Sequence, residues 1–89
     1  MNSFIMPTYN RKPVTFVKGE GVYLYDNEGK RYLDALCGLA VTSLGHSNMR
    51  IAKILSKQSQ TLIHTSNAFL ISPQEKLAKR LTENTFADF

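Results

Sequence analysis

Apolar and polar positions change rhythm several times along this chain. Val14–Lys18 is β-branched and aromatic and predicts a strand. In Val22–Asp26, Val22 and Leu24 alternate with Tyr23 and Tyr25, which predicts a strand with one aliphatic and one aromatic face. Arg31–Asp34 predicts a third short strand. Gly19-Glu20-Gly21 and Asn27-Glu28-Gly29-Lys30 supply the turns, with Gly29 suited to a positive φ. The expected product is a small antiparallel meander. The period then lengthens. Ile51, Ile54, Leu55, Gln58 and Leu62 recur at spacings of three and four, so a helix is expected from Asn48 to about Leu62, capped by Ser47 or Asn48. Its Arg50, Lys53 and Lys57 face is read as solvated. A second helix is expected at "SPQE", with Ser72 as cap, Pro73 in the first helical position and Glu75 closing a capping box. Leu77, Leu81 and Ala78 would form its buried stripe, and Glu75–Lys79 a favourable pair.

Three stretches fit neither rhythm. Residues 1–13 read as an irregular leader punctuated by Pro7 and Pro13. "ALCGLAVTSLGH" is small, apolar and glycine-dotted, which suggests a bending backbone or a close approach. "LIHTSNAFLIS" sets the polar His64–Asn67 between apolar anchors. One reading makes this an ordinary connector, with Ser66 and Asn67 bonding local backbone. The other makes it a rigid loop facing a ligand or a partner. Phe86 and Phe89 bring aromatic bulk with nothing after them to cover it, so the chain is expected to be incomplete as a folding unit.

Composition narrows the class. The chain has 89 residues, 43% of them apolar and 20% charged, which suits one modest globular unit. The net charge of +4 is spread from Arg11 to Arg80 with no basic stripe, which argues against a nucleic-acid partner. The single cysteine, Cys37, excludes an internal disulfide and reads as a buried small hydrophobe rather than a reactive thiol. No apolar run suits a secretory signal or a membrane span, and a cytoplasmic location is expected.

Motifs for chemistry are sparse. There is no zinc spacing, no Gly-rich phosphate loop, and no lysine in an evidently apolar setting. His46 and His64 lie far apart in sequence. The residues alone therefore support an α+β class, a small antiparallel meander plus two helices, and no activity.

The order of motifs adds more. Met6–His46, "MPTYNRKPVTFVKGEGVYLYDNEGKRYLDALCGLAVTSLGH", followed by "IHTSNAF" and "PQEKLAKRL", resembles the opening of class III pyridoxal-phosphate-dependent aminotransferases. "MPTYNR" together with "HTSN" points within them to the acetylornithine branch. Asn48 and Met49 stand where that family usually has histidine and proline. The resemblance implies the N-terminal part of a fold-type I transferase. Residues 1–13 would be a leader, 14–71 part of the small domain, and 72–89 a first helix toward the large domain. It implies amino transfer between N-acetylornithine and 2-oxoglutarate in arginine biosynthesis, with a homodimer mate and the rest of the subunit as partners and an amino acid as substrate. Pyridoxal 5'-phosphate would be the cofactor of the complete enzyme. The lysine that anchors it, and its other binding residues, would lie outside these 89 residues, so this chain alone is expected to bind none and to be inactive.

The resemblance also implies substrate-binding roles for Tyr9 in the leader, Gly38 and Leu39 in a pocket-lining loop, and Ser66 and Asn67 near the active-site mouth and dimer interface. No catalytic residue is implied. The alternatives are another class III transaminase (acting on ornithine, succinylornithine or 4-aminobutyrate) and a short non-catalytic interaction protein.

Overall fold

The computed structural model describes residues 3–86. The expectation placed on Phe89 lies outside them. The chain divides into two compact units, residues 1–53 and 54–89.

The first unit is built on the expected meander. Strands β1 (Phe16–Glu20), β2 (Tyr23–Asp26) and β3 (Arg31–Leu33) form an antiparallel sheet in that order. β1 starts two residues later than Val14 and runs through Gly19 and Glu20, so the tight turn falls at Gly21-Val22. The β1–β2 register slips between Phe16 and Lys18, leaving Val17 as a bulge. Across β2–β3, Leu24 faces Tyr32 and Tyr25 faces Arg31. The two expected faces are present. Arg31 lies 4.4 Å over the Tyr23 ring and Lys18 5.2 Å over that of Tyr25. On the other face the Phe16 and Tyr32 rings meet edge-on at 5.3 Å.

Asp26 locks the second turn. Its Oδ1 accepts the amides of Glu28 and Lys30, both at 2.9 Å, and its Oδ2 accepts the Tyr32 hydroxyl at 3.0 Å. Gly29 takes the expected positive φ of 82°. Burial resists ionisation of Asp26, but these hydrogen bonds, helped by the Lys30 charge, outweigh it and hold the carboxyl below its usual range.

After β3 comes α1 (Cys37–Ala40), a single turn of unusual hand. All four residues have positive φ, from 56° to 64°. Only Gly38 adopts this freely. The left-handed conformation costs about 1–2 kcal/mol at each of Cys37, Leu39 and Ala40. Cys37 is half-buried rather than buried, because this turn lies at the surface.

α2 (Met49–Thr61) has the expected extent, and Asn48 is its cap, with Oδ1 accepting the amides of Arg50 (3.0 Å) and Ile51 (3.2 Å). Ser47 is diverted to the Gly19 carbonyl. At the other end Gln58 Nε2 donates to the Leu62 carbonyl at 2.8 Å.

The second unit contains the end of α2, a loop and α3 (Ser72–Asn84). Here the expected capping box is absent. Ile71 is the cap, with extended backbone, and its carbonyl accepts the Glu75 amide at 3.2 Å. Ser72 is already helical, Pro73 follows it in the first turn, and no side chain caps this end. The helix begins one residue early because the Ile71 carbonyl can take that first bond. Lys79 pairs with Glu83 at 3.8 Å instead of Glu75. The stripe of Leu77 and Leu81 is exposed rather than buried, since α2 and α3 do not pack on one another within this unit. Among the described residues no hydrophobic side chain is buried, and the one buried residue is Asp26, 8% exposed.

Candidate functional site

The polar network of the first unit gathers around the left-handed turn. Asp34, at the end of β3, directs Oδ1 to the amides of Leu36 (3.0 Å) and Cys37 (2.9 Å). Its Oδ2 meets His46 Nε2 at 2.6 Å. Only 7% of the Asp34 side chain and 18% of the His46 side chain reach solvent. The Cys37 amide and the His46 ring, with smaller help from Leu36 and the imidazole charge, hold the Asp34 carboxyl below its usual range against partial desolvation. An ionised carboxylate at this distance requires a proton on Nε2, which sets His46 as the donor.

His46 is fixed in turn by the sheet. Its amide donates to the Gly21 carbonyl (2.8 Å) and its carbonyl accepts the Gly21 amide (3.1 Å). Gly19 provides the room: a Cβ there would lie 2.7 Å from both Cβ and Cγ of His46. Within the turn, Cys37 O accepts the amides of Val41 (2.8 Å) and Thr42 (3.0 Å). An open apolar concavity of about 870 Å³ lies between this turn and the sheet, lined by Phe16, Leu24, Tyr32, Gly38, Val41 and His46 among others.

Of the residues singled out in the sequence, Gly38 (φ 60°, ψ 29°) and Leu39 (φ 62°, ψ 67°) form the middle of the turn. Leu39 is 78% exposed. Tyr9 is exposed in the leader, with the Arg11 guanidinium 5.4 Å over its ring. In the second unit, Ser66 has a positive φ of 75°, and its Oγ accepts the Ala68 amide at 3.2 Å. This is the local backbone bonding expected of a connector. Asn67 is exposed and lines a concavity with Phe69, Leu70 and Glu75.

The Asp34–His46 pair escaped the sequence. Its members are twelve residues apart, on either side of a segment whose course no periodicity reveals. The available signal was an aspartate closing a strand and a Gly-His pair closing the irregular run.

Pyridoxal phosphate needs a lysine amine for its aldehyde. Every lysine here is exposed. Lys18 and Lys30 lie over tyrosine rings and Lys79 is paired with Glu83. These residues do not fit the anchoring of that cofactor, and no step through it is assigned to them. Among the described residues there is also no cluster of metal-ligating side chains, and no helix is long and apolar enough to cross a membrane.

The chain is similar to known proteins over nearly all its length. It is 59% identical over 80 residues to the acetylornithine aminotransferase of Nitrosomonas europaea, a match covering 90% of this chain and 20% of that protein. It is 46% identical over 83 residues to the acetylornithine aminotransferase of Caldanaerobacter subterraneus, covering 93% and 21%. The crystal structure of acetylornithine aminotransferase from Elizabethkingia anophelis superposes with a TM-score of 0.86 at 34% identity, covering 93% of this chain and 22% of that one. Ornithine delta-aminotransferase from Plasmodium falciparum superposes with a TM-score of 0.89 at 28% identity, covering 96% and 22%. The chain thus spans about a fifth of the length of the relatives it matches. The family profile for class-III aminotransferases matches residues 5–89, and the chain belongs to that family.

Proposed function

We propose that this chain is the N-terminal part of an acetylornithine-type aminotransferase. The complete protein would move the terminal amino group of N-acetylornithine to 2-oxoglutarate with pyridoxal 5'-phosphate as cofactor, in arginine biosynthesis in the cytoplasm. The observation that carries this reading is the 59% identity to the Nitrosomonas europaea protein over nine-tenths of the chain. In this reading residues 14–71 belong to the smaller domain and residues from 72 lead toward the larger one. Gly38 and Leu39 would shape the substrate pocket from the left-handed turn. Tyr9 would approach the substrate from the leader, and Ser66 and Asn67 would contribute uncharged hydrogen-bonding groups near the active-site mouth. The exposed apolar faces of α2 and α3 would be covered by the rest of the subunit and by a homodimer mate.

The anchoring and electronic chemistry of the cofactor would come from residues beyond this segment. What the segment supplies is shape: a rigid turn and a rigid loop. The test is steady-state transamination by the full-length protein, with N-acetylornithine compared against ornithine, succinylornithine and 4-aminobutyrate. The highest kcat/KM is expected for N-acetylornithine. The close superposition on ornithine delta-aminotransferase favours ornithine as the competing donor, and a higher kcat/KM for ornithine would replace the substrate assignment. No transamination of any donor would remove the reading.

A further inference from the structure

The turn Cys37–Ala40 holds three non-glycine residues in the left-handed region. Backbone of this kind persists only where its surroundings over-determine it, and it concentrates at functional sites. Backbone bonds close the turn on itself, from the Leu39 amide to Leu36 O and from the Val41 and Thr42 amides to Cys37 O, and one pair of side chains ties it to the sheet. Asp34 binds the first amides of the turn, those of Leu36 and Cys37, through one oxygen. Through the other it binds His46. The imidazole stands over Gly19 and its backbone is bonded to Gly21, so it is the fixed end of the linkage. Sheet, imidazole, carboxylate and turn form one continuous connection. Leu39 itself is exposed, and its amide donates to the Leu36 carbonyl at 3.0 Å, next to the amides that Asp34 binds.

We propose that His46 and Asp34 are positioning residues for the amino donor, holding Gly38 and Leu39 in the left-handed conformation that shapes the substrate pocket. The proposal rests on the assignment of Gly38 and Leu39 to that pocket. Neither His46 nor Asp34 touches the substrate in this account. Releasing the turn displaces the pocket wall and leaves the reacting groups where they are. The cost falls on how the donor is held, and losing a pocket-wall contact about the size of a methylene is worth roughly one to two orders of magnitude. It therefore appears in KM for the donor and spares kcat.

The test uses the full-length holoenzyme with His46→Ala, His46→Gln and Asp34→Asn, assayed with N-acetylornithine at saturating 2-oxoglutarate. His46→Ala is expected to raise KM for N-acetylornithine about 10- to 100-fold with kcat within about threefold. His46→Gln, which keeps a nitrogen donor toward Asp34, is expected to stay within about threefold of the wild type in both. An unchanged KM in His46→Ala overturns the proposal, as does a His46→Gln variant impaired as much as His46→Ala. Should His46→Ala fail to fold, Asp34→Asn decides. It keeps the acceptor for Leu36 and Cys37 but puts an amide nitrogen in place of the carboxylate oxygen that meets His46 Nε2, so it is expected to raise KM, and an unchanged KM overturns the proposal. A wild-type protein without transaminase activity removes the functional reading itself, and that is seen before any variant is made.

Discussion

Replacing Gly19 with alanine tests the packing on which the site depends. Gly19 sits within β1, paired with Leu24, and its φ is not in the left-handed region. Alanine is therefore acceptable to its own backbone. The obstacle is His46, whose Cβ and Cγ would each lie 2.7 Å from the new methyl. Rotating the ring does not help, because Cβ is fixed by the backbone. The His46 segment must move, and its two hydrogen bonds to Gly21 lengthen or break. At a net 0.5–1.5 kcal/mol for each bond, the loss is about 1–3 kcal/mol. Replacing glycine within a strand returns roughly 0.5–1 kcal/mol. At the midpoints of these ranges the balance is a local destabilisation of about 1 kcal/mol, a factor of about 5 in an opening equilibrium. Hydrogen exchange on the full-length protein reads this at the Gly21 and His46 amides. Gly29→Ala is the control: its φ is 82° but open space surrounds it. It is expected to strain its own turn and leave the His46 amide protected. Equal protection at His46 in Gly19→Ala and wild type would refute the reasoning.

Other outcomes follow from the same geometry. Asp34 and Asp26 both ionise at lower pH in the folded chain than in the unfolded one. Between the two values the unfolded chain binds more protons, so their contribution is fully present above the unfolded carboxylate value of about 4 and is lost as pH falls through the lower, folded value. Exchange of the Leu36, Cys37, Glu28 and Lys30 amides should accelerate beyond its intrinsic pH trend only below about pH 4; opening already complete at pH 5 would contradict this. Asn48→Ala, which removes the cap of α2, should cost about 0.5–2 kcal/mol, whereas Ser72→Ala should stay within about 0.5 kcal/mol because its hydroxyl caps nothing. Chemical denaturation of the full-length variants separates the two, and equal losses would restore Ser72 as a cap. Asn67→Ala in the full-length enzyme should lower turnover more than it lowers the melting temperature, and a fall in melting temperature with unchanged turnover would make the loop a plain connector.

The sequence made local order legible and long-range order much less so. Tyr23 and Tyr25 alternate with Leu24 because a strand points successive side chains to opposite faces, and the sheet has those faces. The recurrence of Ile51, Ile54, Leu55 and Leu62 produced α2 with little error. At helix ends the choice lies among near-equal local bonds, and there the reading slipped: Ile71 displaced Ser72, and Lys79 chose Glu83 over Glu75. The left-handed turn was announced only by Gly38, since nothing intrinsic to Cys37, Leu39 or Ala40 favours positive φ. Its first amides are bound by Asp34, whose partner His46 is brought to it by the fold. A contact of this sort has no period to betray it. Gly38 and Leu39 were singled out through family resemblance, while the side chains bonded to their turn were visible only in three dimensions.

The bulge at Val17 has a consequence for how this sheet behaves in a crowded solution. Addition of strands from other molecules requires an uninterrupted edge of unpaired amides and carbonyls. β1 offers none: its start is thrown out of register at Val17, and its far end is occupied by His46 and Ser47. The opposite edge, β3, is three residues long and begins with the charged Arg31. Molecules that stick together through their uncovered leucine and isoleucine side chains would do so face to face and in no fixed register. The resulting deposits would be amorphous and redissolvable, and thioflavin-negative, rather than fibrillar.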